Sequence, residues 1–281
     1  MEFGQKDIHV KTGDKINIFF LGDVHEGSAN HADSEFRRAI SIIKDTPNSY
    51  VFGMGDYIDA ITYHDRRFNP SEIDPEYLIK DLKDLPRKQM DKFYKKIEPI
   101  ADKFIGMLYG NHEESFVKYN NFDPLTYLIN NKMPHVKKLG YTAIFRLGII
   151  REINRKRPCY NFIFDLNHGP GKGGGMREGY PINKVHDVFR WTSGDVRIMG
   201  DIHALAADDK KFLEYRQGNN LSYKTVFYGV SGCFMYKTKE GTRGYFEAKA
   251  APHSGIGMLK FSIETAWKKD RCLTSLDKII L

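Results

Sequence analysis

Five apolar stretches of strand character each run straight into a short polar cluster that a buried strand end does not need for packing. Lys15 to Leu21 leads to Gly22-Asp23-Val24-His25-Glu26-Gly27, and Tyr50 to Met54 leads to Gly55-Asp56-Tyr57-Ile58-Asp59. Phe104 to Tyr109 leads to Gly110-Asn111-His112-Glu113, Tyr160 to Leu166 to Asn167-His168-Gly169, and Val196 to Met199 to Gly200-Asp201-Ile202-His203. When helices connect the strands of a sheet, the carboxyl ends of those strands collect in one crevice. Residues as far apart as Asp23 and His203 can then meet.

The text between the clusters alternates helix and strand, which reads as an α/β fold. Asp33 to Asp45 is helical, with Phe36, Ile40 and Ile43 at helical spacing and Pro47 just past the end. A charged, mostly helical insertion occupies about residues 60–102, with Pro86 as a break. Asp123 to Asn131 and Asn183 to Arg190 are short helices. Ala143 to Ile150 and Tyr160 to Leu166 form a hairpin with a basic tip from Arg151 to Pro158. Thr225 to Val230, Cys233 to Met235 and Gly257 to Ile263 are further strands. With no repeat, linker or low-complexity tract, residues 1–281 are expected to form a single domain.

Composition narrows the class. Hydrophobic content of 41% and charge of 28% are ordinary for a soluble chain able to bury a sizeable core. No apolar run approaches the roughly 18 residues of a membrane span, so no membrane contact is expected. Met1 to Asp7 has no basic start followed by an apolar core, so it does not read as a secretory signal. Three scattered cysteines without a CxxC pair suggest neither a disulfide framework nor a thiolate zinc site, and point to a cytoplasmic setting. The net charge of +7 suits a phosphate-rich partner such as a nucleotide or nucleic acid, and equally a solvated lysine surface. Pro170 to Gly175 is glycine-rich but is not a P-loop, because no Ser or Thr follows Lys172.

The strand-end clusters hold a donor set. Asp23, Asp56 and Asp201 offer carboxylates, His25, His168 and His203 imidazoles, and Asn111 an amide oxygen. That is too many ligands for one metal and enough for two. The mixture suits Mn²⁺, Fe, Zn²⁺ or Ni²⁺ rather than Cu(I) or an iron–sulfur cluster.

In this order the clusters resemble the calcineurin-like metallophosphoesterase family, whose pattern runs DxH, GDxxD, GNH[DE], a lone His, then GHxH. The resemblance spans about residues 15–263 and implies a four-layer α/β/β/α sandwich of two mixed sheets flanked by helices, with the site at one edge of the paired sheets. It implies that Asp23, His25 and His203 hold one metal, that Asn111 and His168 hold a second, and that Asp56 bridges the two. His112 would face the substrate phosphate as acid or transition-state stabiliser. The implied activity is hydrolysis of phosphate mono- or diesters by a hydroxide bridging two divalent cations. One position departs from the pattern: GDIH puts Asp201 where the family has His. An Asp oxygen can still ligate. Three carboxylates around two dications leave one positive charge instead of two, which favours Mn²⁺ or Mg²⁺ at the second position.

Other residues carry two readings each. Asp59 orients a neighbouring ligand beside His112 or caps the next helix, and Glu113 supports the site. His64, Arg66 and Arg67 follow the second cluster, and Lys172 and Arg177 follow the lone His168; each pair of arginines or lysines reaches a substrate phosphate or forms a solvated turn. Trp191 stacks on a base or ends a helix. His9, His31, His135, His186 and His253 have no usable spacing. Rival functions are a DNA or RNA nuclease on the same metals, marked by a steep salt dependence of binding, and a non-catalytic binding module with a decayed site.

Overall fold

The computed structural model describes residues 1–11, 13–61, 68–69, 72–77, 79–120, 122–151, 160–170, 179–216, 220–237, 255–265 and 272–281. His64, Arg66, Arg67, Lys172, Arg177, His253 and most of the basic hairpin tip lie outside the described residues.

The strands are β1 (Glu2–Val10), β2 (Lys15–Leu21), β3 (Ser49–Gly53), β4 (Phe104–Met107), β5 (Lys137–Lys138), β6 (Thr142–Arg151), β7 (Tyr160–Asn167), β8 (Val196–Met199), β9 (Leu205–Arg216), β10 (Asn220–Ser231), β11 (Gly257–Thr265) and β12 (Cys272–Ile280). They form two six-stranded mixed sheets, ordered β1-β6-β7-β8-β10-β9 and β12-β11-β2-β3-β4-β5. The helices are α1 (Asp33–Asp45), α2 (Leu85–Ile97), α3 (Asn111–Asn120), α4 (Pro124–Lys132) and α5 (Tyr180–Val188).

Strand side chains alternate between faces, and β2 is buried on both. Ile16, Ile18 and Phe20 point between the sheets, where they meet Phe145, Phe164, Ile198, Phe227 and Phe261. Phe19 and Leu21 point the other way, against Phe36 and Ile40 of α1 and Phe93 of α2. A third cluster packs Val185 and Phe189 against Met199, Val226 and Val230 on the outer face of the first sheet. The layers are therefore helix, sheet, sheet, helix.

Parallel pairing fixes where the site can be. β2, β3 and β4 run parallel to one another, and β7 runs parallel to β8. Their carboxyl ends open at the same rim of the sandwich, three from one sheet and two from the other.

Several elements differ from the sequence reading for identifiable reasons. Cys233 to Met235 is not a strand; Cys233 makes one bridge to Ile256 and Met235 one to His31. Pro86 does not interrupt an α-helix: it sits in the first turn of α2, where its missing N–H costs nothing, after a 3₁₀ turn over Ile79–Asp84. β4 ends at Met107, two residues before the apolar run does, and the tetrad that follows opens a helix, since α3 starts at Asn111. β1, β9 and β12 are edge strands whose charged and exposed residues blur the alternation.

Phe52 lies at the centre of the inter-sheet layer, with ring centroids 5.9 Å from Phe20, 4.9 Å from Phe145 and 5.5 Å from Phe164. Phe52→Ala is expected to cost about 3–5 kcal/mol of unfolding free energy, read from denaturant midpoints at constant slope. A loss below about 1 kcal/mol would mean that this layer does not hold the sheets together.

Candidate metal centre

The loops that leave β2 and β3 are laced together beyond the sheet. Asp23 N–H donates to the Gly55 carbonyl at 2.9 Å, Val24 N–H to Asp56 at 2.8 Å, and Glu26 N–H to Tyr57 at 3.0 Å. Asp59 N–H returns the pairing to the Glu26 carbonyl at 3.0 Å. The loop leaving β4 is drawn in by Glu113. Its buried carboxylate accepts from the N–H groups of Gly110 at 3.1 Å, Asp56 at 3.1 Å, Tyr57 at 2.7 Å and Ile58 at 3.2 Å.

The backbone is strained where the donors stand. Asp23 (φ 50°), His25 (49°), Asp56 (51°), Asp201 (66°) and His203 (57°) are all left-handed, and each is a candidate ligand. A non-glycine residue held this way costs on the order of 1–3 kcal/mol and tends to mark a functional site. Gly110 is required by close approach, since a Cβ there would collide with the backbone N and Oδ1 of Asp56. Gly55 has a positive φ of 95°, and a Cβ there would press on Nδ1 of His168.

Five side chains converge and are buried: Asp23, His25, Asp56, His168 and His203. His25 Nε2 is 3.1 Å from His203 Nε2, which is 3.6 Å from Asp23 Oδ1. His168 Nε2 is 3.3 Å from Asp56 Oδ1 and 3.3 Å from Asn111 Oδ1. The second oxygen of Asp56 lies 3.8 Å from His25 Nε2, so this carboxylate faces both halves of the cluster. His168 Nδ1 is 2.7 Å from the Met54 carbonyl and donates to it, which turns Nε2 towards the cluster as a candidate ligand atom.

Asp201 stands at the edge. Its N–H donates to Asp23 Oδ2 at 3.0 Å, and its Oδ1 is 4.0 Å from His168 Nε2. His112 is placed by its N–H, which donates to Asp56 Oδ1 at 2.9 Å, and by a short hydrogen bond from Nδ1 to the Asp59 carbonyl. The Asp59 carboxylate lies between two imidazoles, 3.9 Å from His25 Nδ1 and 3.8 Å from His112 Nδ1.

Burial decides the charge states of His25 and His203. It holds His25 well below the usual imidazole range, with His112 adding to the effect, and lowers His203 to about 3. Asp23 is pushed well up by burial and by the neighbouring carboxylates of Asp56 and Asp201. Burial opposes the charged forms of Asp56 and His168 as well, but their mutual attraction wins. Asp56 is held well below the carboxylate range, and His168 is raised to about 10. Burial, then the Asp56 charge, lifts Glu113 to about 7 against the pull of its amide donors.

The donor set fits cations. Neutral imidazole nitrogens face each other and face carboxylate oxygens, so acceptors outnumber the protons available to separate them. Asp23–His25–His203, Asp23–Asp56–His168 and His25–Asp56–His112 each bring one ligand atom per residue within 4.8 Å of the others. These groups can hold metal ions. A fourth group of the same kind, Glu26–His31–Asp33, stands behind the first loop and has no counterpart in the sequence reading. Lys96, which with Gln89 is a polar residue on the buried face of α2, reaches this group.

Gly110→Ala should force the β4 exit away from Asp56. Metal affinity is expected to fall about 10–100-fold, as for a displaced ligand support, measured by Mn²⁺ titration. Affinity equal to wild type would show that the close approach is dispensable.

No family model matches the chain, and no curated protein matches it. Three solved structures are similar at 10% sequence identity. Vacuolar protein sorting 29 from Cryptosporidium parvum aligns over 95% of this chain and 99% of its own, with a TM-score of 0.38. NAD nucleotidase from Haemophilus influenzae aligns over 96% of this chain and 51% of its own, with a TM-score of 0.43. GAP50 of Plasmodium, described as the anchor in the inner membrane complex, aligns over 95% and 89%, with a TM-score of 0.43. Two facing mixed sheets flanked by helices, with the five strand-end clusters at one rim, are the α/β/β/α sandwich that the motif resemblance implies.

Proposed function

We propose that the protein is a dinuclear metal-dependent phosphoesterase that hydrolyses phosphate mono- or diesters. The observation that supports this best is Asp56. Its carboxylate presents one oxygen to His168 and the other to His25, between two buried sets of donors. Asp23, His25 and His203 would hold one cation, Asn111, His168 and Asp201 the other, with Asp56 shared. Two divalent cations, Mn²⁺ foremost and Fe, Zn²⁺, Ni²⁺ or Mg²⁺ as alternatives, supply charge neutralisation at phosphate oxygens and a water of lowered pKa when bound.

The protein's own groups do the rest. Strain and the Glu113 tether hold the donors in place before substrate arrives, so little reorganisation is left for the reaction. His112 is anchored through Nδ1 on the Asp59 carbonyl, which leaves Nε2 available for the proposed substrate contact. In its doubly protonated form that nitrogen gives a proton to the leaving oxygen. The Asp59 carboxylate stands 3.8 Å from Nδ1 on the opposite side of the ring. Arg66, Arg67, Lys172 and Arg177 are the proposed cationic contacts to the remaining phosphate oxygens.

The charge of +7 supports a second reading, a DNA or RNA nuclease using the same residues. Among the described residues no helix is long and apolar enough to cross a membrane. The proposed partner is a phosphate ester, a nucleotide or a nucleic acid.

Turnover of a nitrophenyl monoester and a bis-nitrophenyl diester should depend on added Mn²⁺. His112→Asn should lower kcat by about 10²–10⁴-fold with Mn²⁺ stoichiometry unchanged. Loss of bound metal in that variant would make His112 a ligand instead, and no turnover with any divalent cation would end the phosphoesterase reading. For the nuclease, binding of single-stranded DNA should weaken steeply as salt rises.

Metal binding should also release protons. With His168 raised to about 10, its imidazole is protonated at neutral pH in the metal-free protein, and a cation on Nε2 must displace that proton. Mn²⁺ affinity should therefore rise with pH across the neutral range towards 10. Calorimetry in buffers of different ionisation enthalpy should show the release. Affinity independent of pH would place His168 outside the ligand set.

A further inference from the structure

Behind the first metal loop, away from the donors described above, three more acceptors converge on one point. Glu26, which follows His25, is fully buried. Its Oε2 is 3.3 Å from His31 Nε2, and the same nitrogen is 3.6 Å from Asp33 Oδ1. His31 Nδ1 donates to the Val24 carbonyl at 2.8 Å, so Nε2 carries the lone pair. Burial keeps His31 below its usual range despite Glu26 and Asp33. Two carboxylate oxygens and a bare imidazole nitrogen repel one another unless a cation stands among them. Here the cation is the ammonium of Lys96, 2.5 Å from Glu26 Oε2, 3.2 Å from His31 Nε2 and in close contact with Asp33 Oδ1.

Lys96 comes from α2, in the segment inserted between the second and third clusters. One face of this helix is turned onto the loops that carry the ligands. Gln89 Oε1 accepts from Ala60 N–H at 2.9 Å, and its side chain lies against Gly27 so closely that a Cβ there would collide with it. Lys92 Nζ is 3.4 Å from the other Glu26 oxygen. Gln89, Lys92 and Lys96 are three and four residues apart, the spacing of one helix face. Both routes from Lys96 end at the ligands. Through His31 it reaches the carbonyl of Val24, the residue between Asp23 and His25. Through Glu26 it reaches the residue that hydrogen-bonds across to Tyr57 and Asp59.

We propose that Lys96 is a positioning residue: its ammonium occupies a three-donor cation site made by Glu26, His31 and Asp33, and thereby sets the metal affinity of the Asp23–His25–His203 position. This rests on the metal-centre reading, but not on the identity of the substrate. The insertion helix thus contributes a tethered cation to the back of the loop whose front binds a free one.

The test is Mn²⁺ titration of the full-length protein, read by the paramagnetic signal of free Mn²⁺, with thermal melts in parallel. In Lys96→Met, one of the two bound Mn²⁺ ions should dissociate about 10–100-fold more easily, the usual cost of losing an outer support of a ligand, while the other is held as in wild type. Millimolar methylammonium should restore affinity, and so should Lys96→Arg, while Lys95→Met, on the exposed side of the same helix, should bind as wild type does. A lower melting temperature with unchanged Mn²⁺ affinity, or affinity that methylammonium does not restore, would reduce Lys96 to a structural ion pair and overturn the proposal. If Lys96→Met does not fold, Asp33→Asn removes one donor at the solvent edge while keeping Lys96, and unchanged affinity there overturns the proposal equally. Wild-type protein that binds no divalent cation would instead remove the metal centre itself, and this inference with it.

Discussion

Glu113 is the most heavily bonded tie between the exits of β3 and β4, with His112 as a second link through its N–H on Asp56. Its single carboxylate accepts from four backbone N–H groups, one before α3 and three in the loop after β3. Those three belong to Asp56, Tyr57 and Ile58, so the residue that faces both halves of the donor cluster is held by its own amide. A charged acceptor with several amide donors is among the stronger hydrogen-bonding arrangements available. Without it the Asp56 amide would be buried with no partner, and the loop after β3 would be free to relax the positive φ at Asp56. The other donors then lose their common neighbour.

The strain around the cluster belongs with this tether. Left-handed conformations at Asp23, His25, Asp56, Asp201 and His203 are unfavourable one by one. They persist because each loop is bonded to the next: the first to the second through paired amides, the second to the third through Glu113, and the fifth to the first through the Asp201 N–H on Asp23. Acceptors gathered this way repel one another in a buried place. The proton shared by His168 and Asp56 relieves part of the repulsion, and the same proton is what a metal would have to displace.

The sandwich and the meeting of the clusters are visible in the sequence because both rest on strong local signals. β2, α1 and β8 have the boundaries their apolar spacing predicts, since all three lie against the buried layers and no competing pattern interrupts them. Asp23, His25, Asp56, His168 and His203 come together because parallel strands deliver their loops to the same rim. The edge strands β1, β9 and β12 are hidden by the charges that edges carry. Glu113 is legible as a support of the site but not for what it holds, and Lys96 only as a residue type. What Glu113 holds is backbone from Asp56 to Ile58, more than fifty positions away in the chain, and backbone donors leave no mark in sequence. Lys96 reads as one more surface lysine until α2 is seen to lie with that residue inward.

The order of strands has a consequence for how the centre comes into being. β2, which carries the first cluster, is flanked by β3 on one side and by β11 on the other, so its second neighbour is made from residues 257–265. β1 likewise pairs with β6, about 140 positions later. A chain emerging from the ribosome would therefore present Asp23, His25 and Asp56 long before the sheets that align them are closed. In the proposed metal centre, these side chains would be loose ligands during synthesis, open to any available cation. The finished geometry would choose among metals only afterwards, so the ion held would be decided by exchange after folding.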